Sequence, residues 1–244
     1  MRALSAAELL EAWECGLDAN PTERMLILLE ATSTDRSGNE IAEMPLGGRD
    51  ALLLELRAML FGPACTVIVP CPGCGELLES TFPLAHMRIE ADRRPPAVLL
   101  LHSGGIKVAF RVPSSSDLLA LTGAGIEPAS RQLLARCIVD ARGEDGAAVG
   151  SEDLPDAVVA AVADGMSAAD PQADMELALA CQSCGATWSA PFDIAGFLWA
   201  EIHAWAQQLL RDVHLLASAY GWREADVLAL SPVRRNLYLE LIRP

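Results

Sequence analysis

With 244 residues, 52% of them hydrophobic, the chain has material for one elaborated domain or two small ones around a full core. A formal net charge of −15, from 33 acidic against 18 basic residues, opposes a phosphate backbone, which is bound by Lys and Arg displacing counterions, so nucleic acid is not an expected partner. The first stretch is amphipathic and acidic where a signal peptide needs a continuous apolar run, and no apolar run reaches the roughly 18 residues of a membrane span, so a cytoplasmic protein without membrane contact is expected.

In chain order, Ser5-Ala6-Ala7-Glu8 forms a capping box that opens a helix with Leu9, Leu10 and Trp13 on its apolar face and Gly16 as its stop. Pro21 starts a second helix over 21–31, with Met25, Leu26, Leu28 and Leu29 packing on the first. Residues 32–43 are polar and read as a loop. Gly47-Gly48-Arg49-Asp50 begins a third helix that runs to Leu60 and stops at Gly62. Its leucines are too many for one stripe, so it should be largely buried, with Arg49 and Asp50 at its mouth, where the helix dipole favours an acid.

Residues 66–69 and 77–82 flank Cys71-Pro72-Gly73-Cys74-Gly75 with β-branched and apolar side chains, and 175–180 and 186–192 flank Cys181-Gln182-Ser183-Cys184-Gly185 in the same way. Each segment reads as a hairpin with two thiols at its tip. Two residues between cysteines put both sulfurs on one side of a tight turn, and the following glycine lets the backbone take φ > 0. Cys71, Cys74, Cys181 and Cys184 together make a four-thiolate set for a structural Zn²⁺, closed to water and substrate. A redox dithiol has the same C-x-x-C spacing, but two copies with matching glycines favour the metal. The intervening chain must then be an insertion whose ends lie close together. It holds a hairpin of 97–102 and 107–112 around Ser103-Gly104-Gly105, a Ser114-to-Asp117 cap on a short helix through Leu121, a helix over 128–141 with Leu133, Leu134, Cys137 and Ile138 inward, a loop over 143–153, and a helix over 155–163 ended by Asp164-Gly165.

From Asp193 to Tyr220, Leu198, Ile202, Trp205, Leu209, Val213, Leu216 and Tyr220 recur at three- and four-residue steps, with Glu201, Gln208, Arg211 and Asp212 elsewhere on the wheel. Gly221 ends this long helix, 222–230 forms another, and Ser231-Pro232 restarts a helix to Ile242, with Arg234 and Arg235 near its start awaiting an acidic neighbour. The expected fold class is α+β: an interrupted zinc ribbon (64–94 and 172–192) with an α/β insertion (95–171), an N-terminal helical region (1–63) and a C-terminal helical bundle (193–244). Seven cysteines, four of them in metal spacing, indicate a reducing compartment; Cys15, Cys65 and Cys137 read as buried apolar residues, and Met25, Met59 and Met175 as core fillers. No hydrolase elbow, zinc-protease, phosphate-loop or dinucleotide motif occurs, and His86, His102, His203 and His214 are scattered, with His86 alone near enough to a cysteine pair to substitute as a ligand.

Several segments together carry a family likeness: the first helix with Trp13, the Gly47-to-Leu54 helix ending Leu60-Phe61-Gly62, the two knuckles, Phe110-Arg111-Val112-Pro113-Ser114-Ser115-Ser116-Asp117-Leu118-Leu119, the stretch from Tyr220 to Ser231, and Arg234-Arg235-Asn236-Leu237-Tyr238-Leu239-Glu240. The chain resembles the T-even-phage-type baseplate hub assembly chaperone family of contractile phage tails and contractile injection systems. The resemblance implies a non-enzymatic protein that helps build the hub, the platform carrying the spike, by binding a hub or spike-complex protein; it brings no catalytic residue. A component retained in the mature baseplate and a C-x-x-C redox protein are the alternatives, and oligomeric state is open. Transient shielding of a subunit needs exposed apolar surface, and Trp205, Trp222 and Tyr238 on the C-terminal helices are its expected anchors.

Overall fold

The computed structural model describes residues 1–89, 95–121 and 126–242. In chain order its elements are helices α1 (Ala6–Cys15), α2 (Pro21–Thr32), α3 (Gly38–Glu43) and α4 (Leu46–Phe61), strands β1 (Ala64–Pro70), β2 (Leu77–Pro83), β3 (Leu99–Ser103) and β4 (Ile106–Phe110), helices α5 (Ser115–Leu119) and α6 (Ile126–Cys137), strand β5 (Ile138–Gly143), helix α7 (Asp156–Ala169), strands β6 (Glu176–Ala180) and β7 (Thr187–Pro191), and helices α8 (Ile194–Tyr220), α9 (Glu224–Leu228) and α10 (Pro232–Ile242). Mixed helices and small antiparallel sheets make this an α+β protein. The chain divides into two compact units, Met1–Ser37 with Ile194–Pro244, and Gly38–Asp193. This cut differs from the composition-based boundary at 63/64, because α4 packs on the 3-10 turn Pro171–Ala173, far away in sequence, which a pass along the chain does not reveal.

The first unit is helical. Ser5 caps α1 as expected, its hydroxyl accepting from the Glu8 amide while the Glu8 carboxylate accepts from the Ser5 amide at 2.8 Å; Asn20 and Glu23 repeat the device at α2. Gly16 does more than end α1, since a Cβ there would fall 2.5 Å from the Trp199 ring. Trp13 donates from Nε1 to His203 Nδ1 at 3.1 Å, so this histidine is a satisfied packing residue. Leu198, Ile202, Ala206, Leu209 and Leu216 of α8 are fully buried. Asp212 corrects the reading of the wheel: it is buried and meets the buried Arg235 at 3.3 Å, with Gln208 donating to its other oxygen at 2.8 Å. Arg235 thus has the acidic neighbour expected of it. Of 222–230 only Glu224–Leu228 is helical, and Cys15, read as buried, is exposed.

Among the described residues the second unit holds three antiparallel sheets, of order β1-β2, β3-β4-β5 and β6-β7. One face of the three-stranded sheet carries Val108, Phe110 and Ala141, which pack with Leu154 and with Val158 and Val162 of α7. Five readings change here. A helix, α3, forms within 32–43. Asp50 lies past the first turn of α4, which begins at Leu46; it is buried beside Arg49 and is not a solvent-facing dipole partner. The helix over 128–141 stops at Cys137, because Ile138 pairs with Phe110 and the chain turns into a third strand where β-branched Ile138 and Val139 are at ease. Helix α7 passes through Gly165 to Ala169. A Cβ at Gly165 would sit 2.9 Å from the Phe110 ring, so this glycine serves close packing and not termination. Met59 is 39% exposed and no core filler, while Met25 and Met175 are buried.

Candidate metal centre

The two cysteine knuckles have nearly the same backbone. At the tip of β1-β2 the Cys71 amide donates to Glu76 O at 2.8 Å and the Gly75 amide to Cys71 O at 2.9 Å; at the tip of β6-β7 the Cys181 amide donates to Ala186 O at 2.8 Å and the Gly185 amide to Cys181 O at 2.9 Å. Gly75 and Gly185 adopt φ of 76° and 75°, the left-handed turn that a side chain would strain. At the ends of the hairpins away from the tips, Phe82 and Phe192 meet edge to face with ring centroids 5.8 Å apart.

The four sulfurs come together across the insertion. Cys71 Sγ lies 3.6 Å from Cys184 Sγ, Cys74 Sγ lies 3.7 Å from Cys181 Sγ, and all four atoms fall within 4.8 Å of one another. Disulfide sulfurs would be about 2 Å apart. Four sulfurs at about 2.3 Å from a central divalent ion in a tetrahedron stand about 3.8 Å apart, close to both observed separations. Each pair contributes one buried cysteine, Cys71 and Cys181, and one exposed, Cys74 and Cys184. Among the described residues the cluster contains no histidine, so His86 does not enter it.

The electrostatics fit a cation. The amide of Cys184 above all, then that of Ser183, holds the Cys181 thiol down to about 7 against burial. The Glu76 amide also favours a thiolate at Cys74, yet hydrogen bonding to Cys184, burial and the other sulfurs push that thiol up to about 12. Crowded thiols that can share one negative charge resist the next; a divalent ion held by Cys71, Cys74, Cys181 and Cys184 would offset that repulsion and favour their thiolate forms.

The other expected site residues lie apart from this centre. Trp205 is half-buried on α8. Trp222 stacks on Tyr220 at a centroid distance of 4.7 Å and meets Tyr238 edge to face at 4.9 Å, and Trp222 and Tyr238 pack against the core of Leu216, Val227 and Leu239. The exposed apolar residues of α10 are instead Val233, Leu237 and Leu241, at 70%, 54% and 75% exposure. Their four-residue spacing places them on one face of the helix.

A second polar arrangement lies within the Phe110-to-Leu119 stretch. Asp117, buried, accepts from Arg111 Nη1 at 2.6 Å and Nη2 at 2.8 Å, from Arg136 Nε at 3.3 Å, and from the Ser114 amide at 3.0 Å as part of a capping box on α5. Burial alone would raise its carboxyl; the Arg111 guanidinium and the Ser114 amide outweigh burial and hold it down to about 2. Every acceptor site is used by the fold, so this is a clamp between β4, α5 and α6 and not a reactive group. Asp50, by contrast, is pushed up to about 6 by burial, with Arg49 opposing.

Fold and centre together define an α+β protein whose two hairpins present four thiols to one point able to hold a metal ion. Residues 8–199, well over half of the chain, match the family described as T4 bacteriophage base plate protein, and the chain belongs to that family. The match takes in both cysteine pairs and ends within α8. No curated protein and no solved structure matches significantly. No helix among the described residues is long and apolar enough to cross a membrane.

Proposed function

We infer that the protein is a non-enzymatic assembly chaperone for the baseplate hub of a contractile tail or injection system, acting in the cytoplasm, with a structural zinc clip at its four cysteines. The observation that carries this reading is the family match over residues 8–199, which makes the chain a baseplate protein. A baseplate protein needs partners among other baseplate proteins, and an exposed apolar helix face is what a transient shield of a hub subunit requires. The stripe of Val233, Leu237 and Leu241 on α10 supplies such a face. Zinc is favoured by four thiolates with no open ligand position, and an interrupted ribbon of two knuckled hairpins is the fold such a clip closes.

The experiment is affinity purification from cells expressing the whole assembly operon, alongside mass spectrometry of finished particles. The chaperone reading expects a hub subunit to copurify and the protein to be missing from particles. Presence in particles at fixed stoichiometry would instead make it a retained component. Leu237→Glu should abolish capture of the hub subunit without loss of helicity, whereas undiminished capture would move the binding surface off α10.

A further inference from the structure

The three-stranded sheet has one covered face and one bare face. Opposite the face packed by α7, Leu100 is 79% exposed, and Val139 at the β4-β5 bulge is 59% exposed. Strand register sets His102, Lys107 and Arg142 side by side in one cross-strand row and Leu100, Ala109 and Asp140 in the next. All three residues of the first row are exposed. Asp140 engages Arg142 at 2.8 Å, while no carboxylate among the described residues pairs with Lys107. In a chain of net charge −15, Lys107 is the only lysine.

The two edges of this sheet are treated differently. β5 is irregular through its bulge with β4, and it bridges beyond itself from Arg142 to Ala148. β3 is the opposite edge, and no described backbone group bonds its outer side. Its sequence, Leu99-Leu100-Leu101-His102-Ser103, has no lysine, proline or bulge, the devices that normally keep an open edge from pairing.

We propose that the free edge of β3 receives an extended segment of another baseplate polypeptide, apolar beside Leu100 and carrying a carboxylate in the row of His102 and Lys107. Main-chain hydrogen bonds to the edge supply affinity, and alternate side chains on the bare face supply selectivity. An added strand lies about 10 Å from β4, two strand spacings away, which a glutamate and an extended lysine span together. A second copy of this chain is disfavoured as occupant because two bodies of net charge −15 repel. That the occupant is a baseplate polypeptide rests on the assembly reading; the open edge does not.

The lone lysine makes the test specific. The full-length protein is co-expressed with the baseplate proteins of its operon, purified, and treated with a water-soluble carbodiimide, which condenses an amine with a contacting carboxylate into an amide with net loss of water. Mass spectrometry should find Lys107 joined to an acidic residue of one copurifying baseplate protein. Lys107→Arg should keep the complex and lose the link, while Leu100→Glu and Lys107→Glu should each weaken the complex on the order of tenfold with unchanged melting. A complex that forms without a Lys107 link and ignores these variants overturns the sheet-edge proposal and leaves the assembly reading standing. A link to a second copy of this chain overturns the assigned occupant, and no complex with any baseplate protein overturns both readings.

Discussion

The helical unit and the sheet-bearing unit close their cores with different kinds of contact. In Met1–Ser37 with Ile194–Pro244, an apolar stripe of α8, from Leu198 through Ile202 and Leu209 to Leu216, is buried together with Leu9, Trp13, Met25 and Leu28 of α1 and α2, and among the described residues a buried charge pair is shown between Asp212 and Arg235. In Gly38–Asp193 the sheets are small, and a few thiol and polar point contacts join its parts: Cys71 with Cys184, Cys74 with Cys181, and the Gly47 amide with Asp170 at 2.8 Å. A unit held by a continuous stripe should weaken gradually under mutation, whereas one held by a few cross-chain clips should fail at those clips.

The sharpest break expected is Cys71→Ser. Structural zinc sites of this kind contribute about 10–16 kcal/mol, against about 5–15 kcal/mol for the whole stability of a domain, so the second unit should lose its protection while α8 keeps its own. Limited proteolysis mapped by mass spectrometry reads this directly; equal loss in both units would erase the contrast between them.

Next comes Asp212→Ala, expected to destabilise the helical unit by about 3–5 kcal/mol in chemical denaturation, since it leaves the buried Arg235 without its counter-charge. Neither Arg235 Nε nor Nη1 makes a directed hydrogen bond, so the pair is poorly satisfied. The double change Asp212→Leu with Arg235→Met should therefore recover most of the loss, and failure to recover would mean the pair is itself a source of stability.

The third expected effect is of pH on the sheet-bearing unit. Asp117 is held near 2 in the folded protein, below its ordinary value of about 4, so its contribution of about 2 kcal/mol is complete above pH 4 and fades as pH falls toward 2. Asp117→Asn should flatten stability over that window. Unaltered acid dependence in the variant would remove Asp117 from the account. The smallest effect is Gly165→Ala, about 1–2 kcal/mol from a methyl pressed on the Phe110 ring; a stabilising change there would show that the ring yields and that helix propensity prevails.

What could be read from the sequence divides by the range of the signal. Periodicity and caps located α1, α2, α8 and α10 to within a residue or so, because those signals are local. The knuckles were also legible, since spacing and glycines repeat. Strand β5 was not: a helix pattern ran into it, and only pairing with Phe110 decides otherwise. The extension of α7 past Gly165 and the burial of Asp212 likewise depend on neighbours contributed from elsewhere in the chain. Trp222 and Tyr238 are large enough to bury each other, which leaves smaller Val233, Leu237 and Leu241 outside.

The measurement that bears most directly on the central claim is native mass spectrometry of the full chain with metal analysis. Convergence of two distant thiol pairs on one closed centre predicts a single zinc ion per chain, lost in Cys71→Ser and equally in Cys184→Ser. Metal-free protein, or zinc retained when a cysteine of either pair is removed, would contradict it.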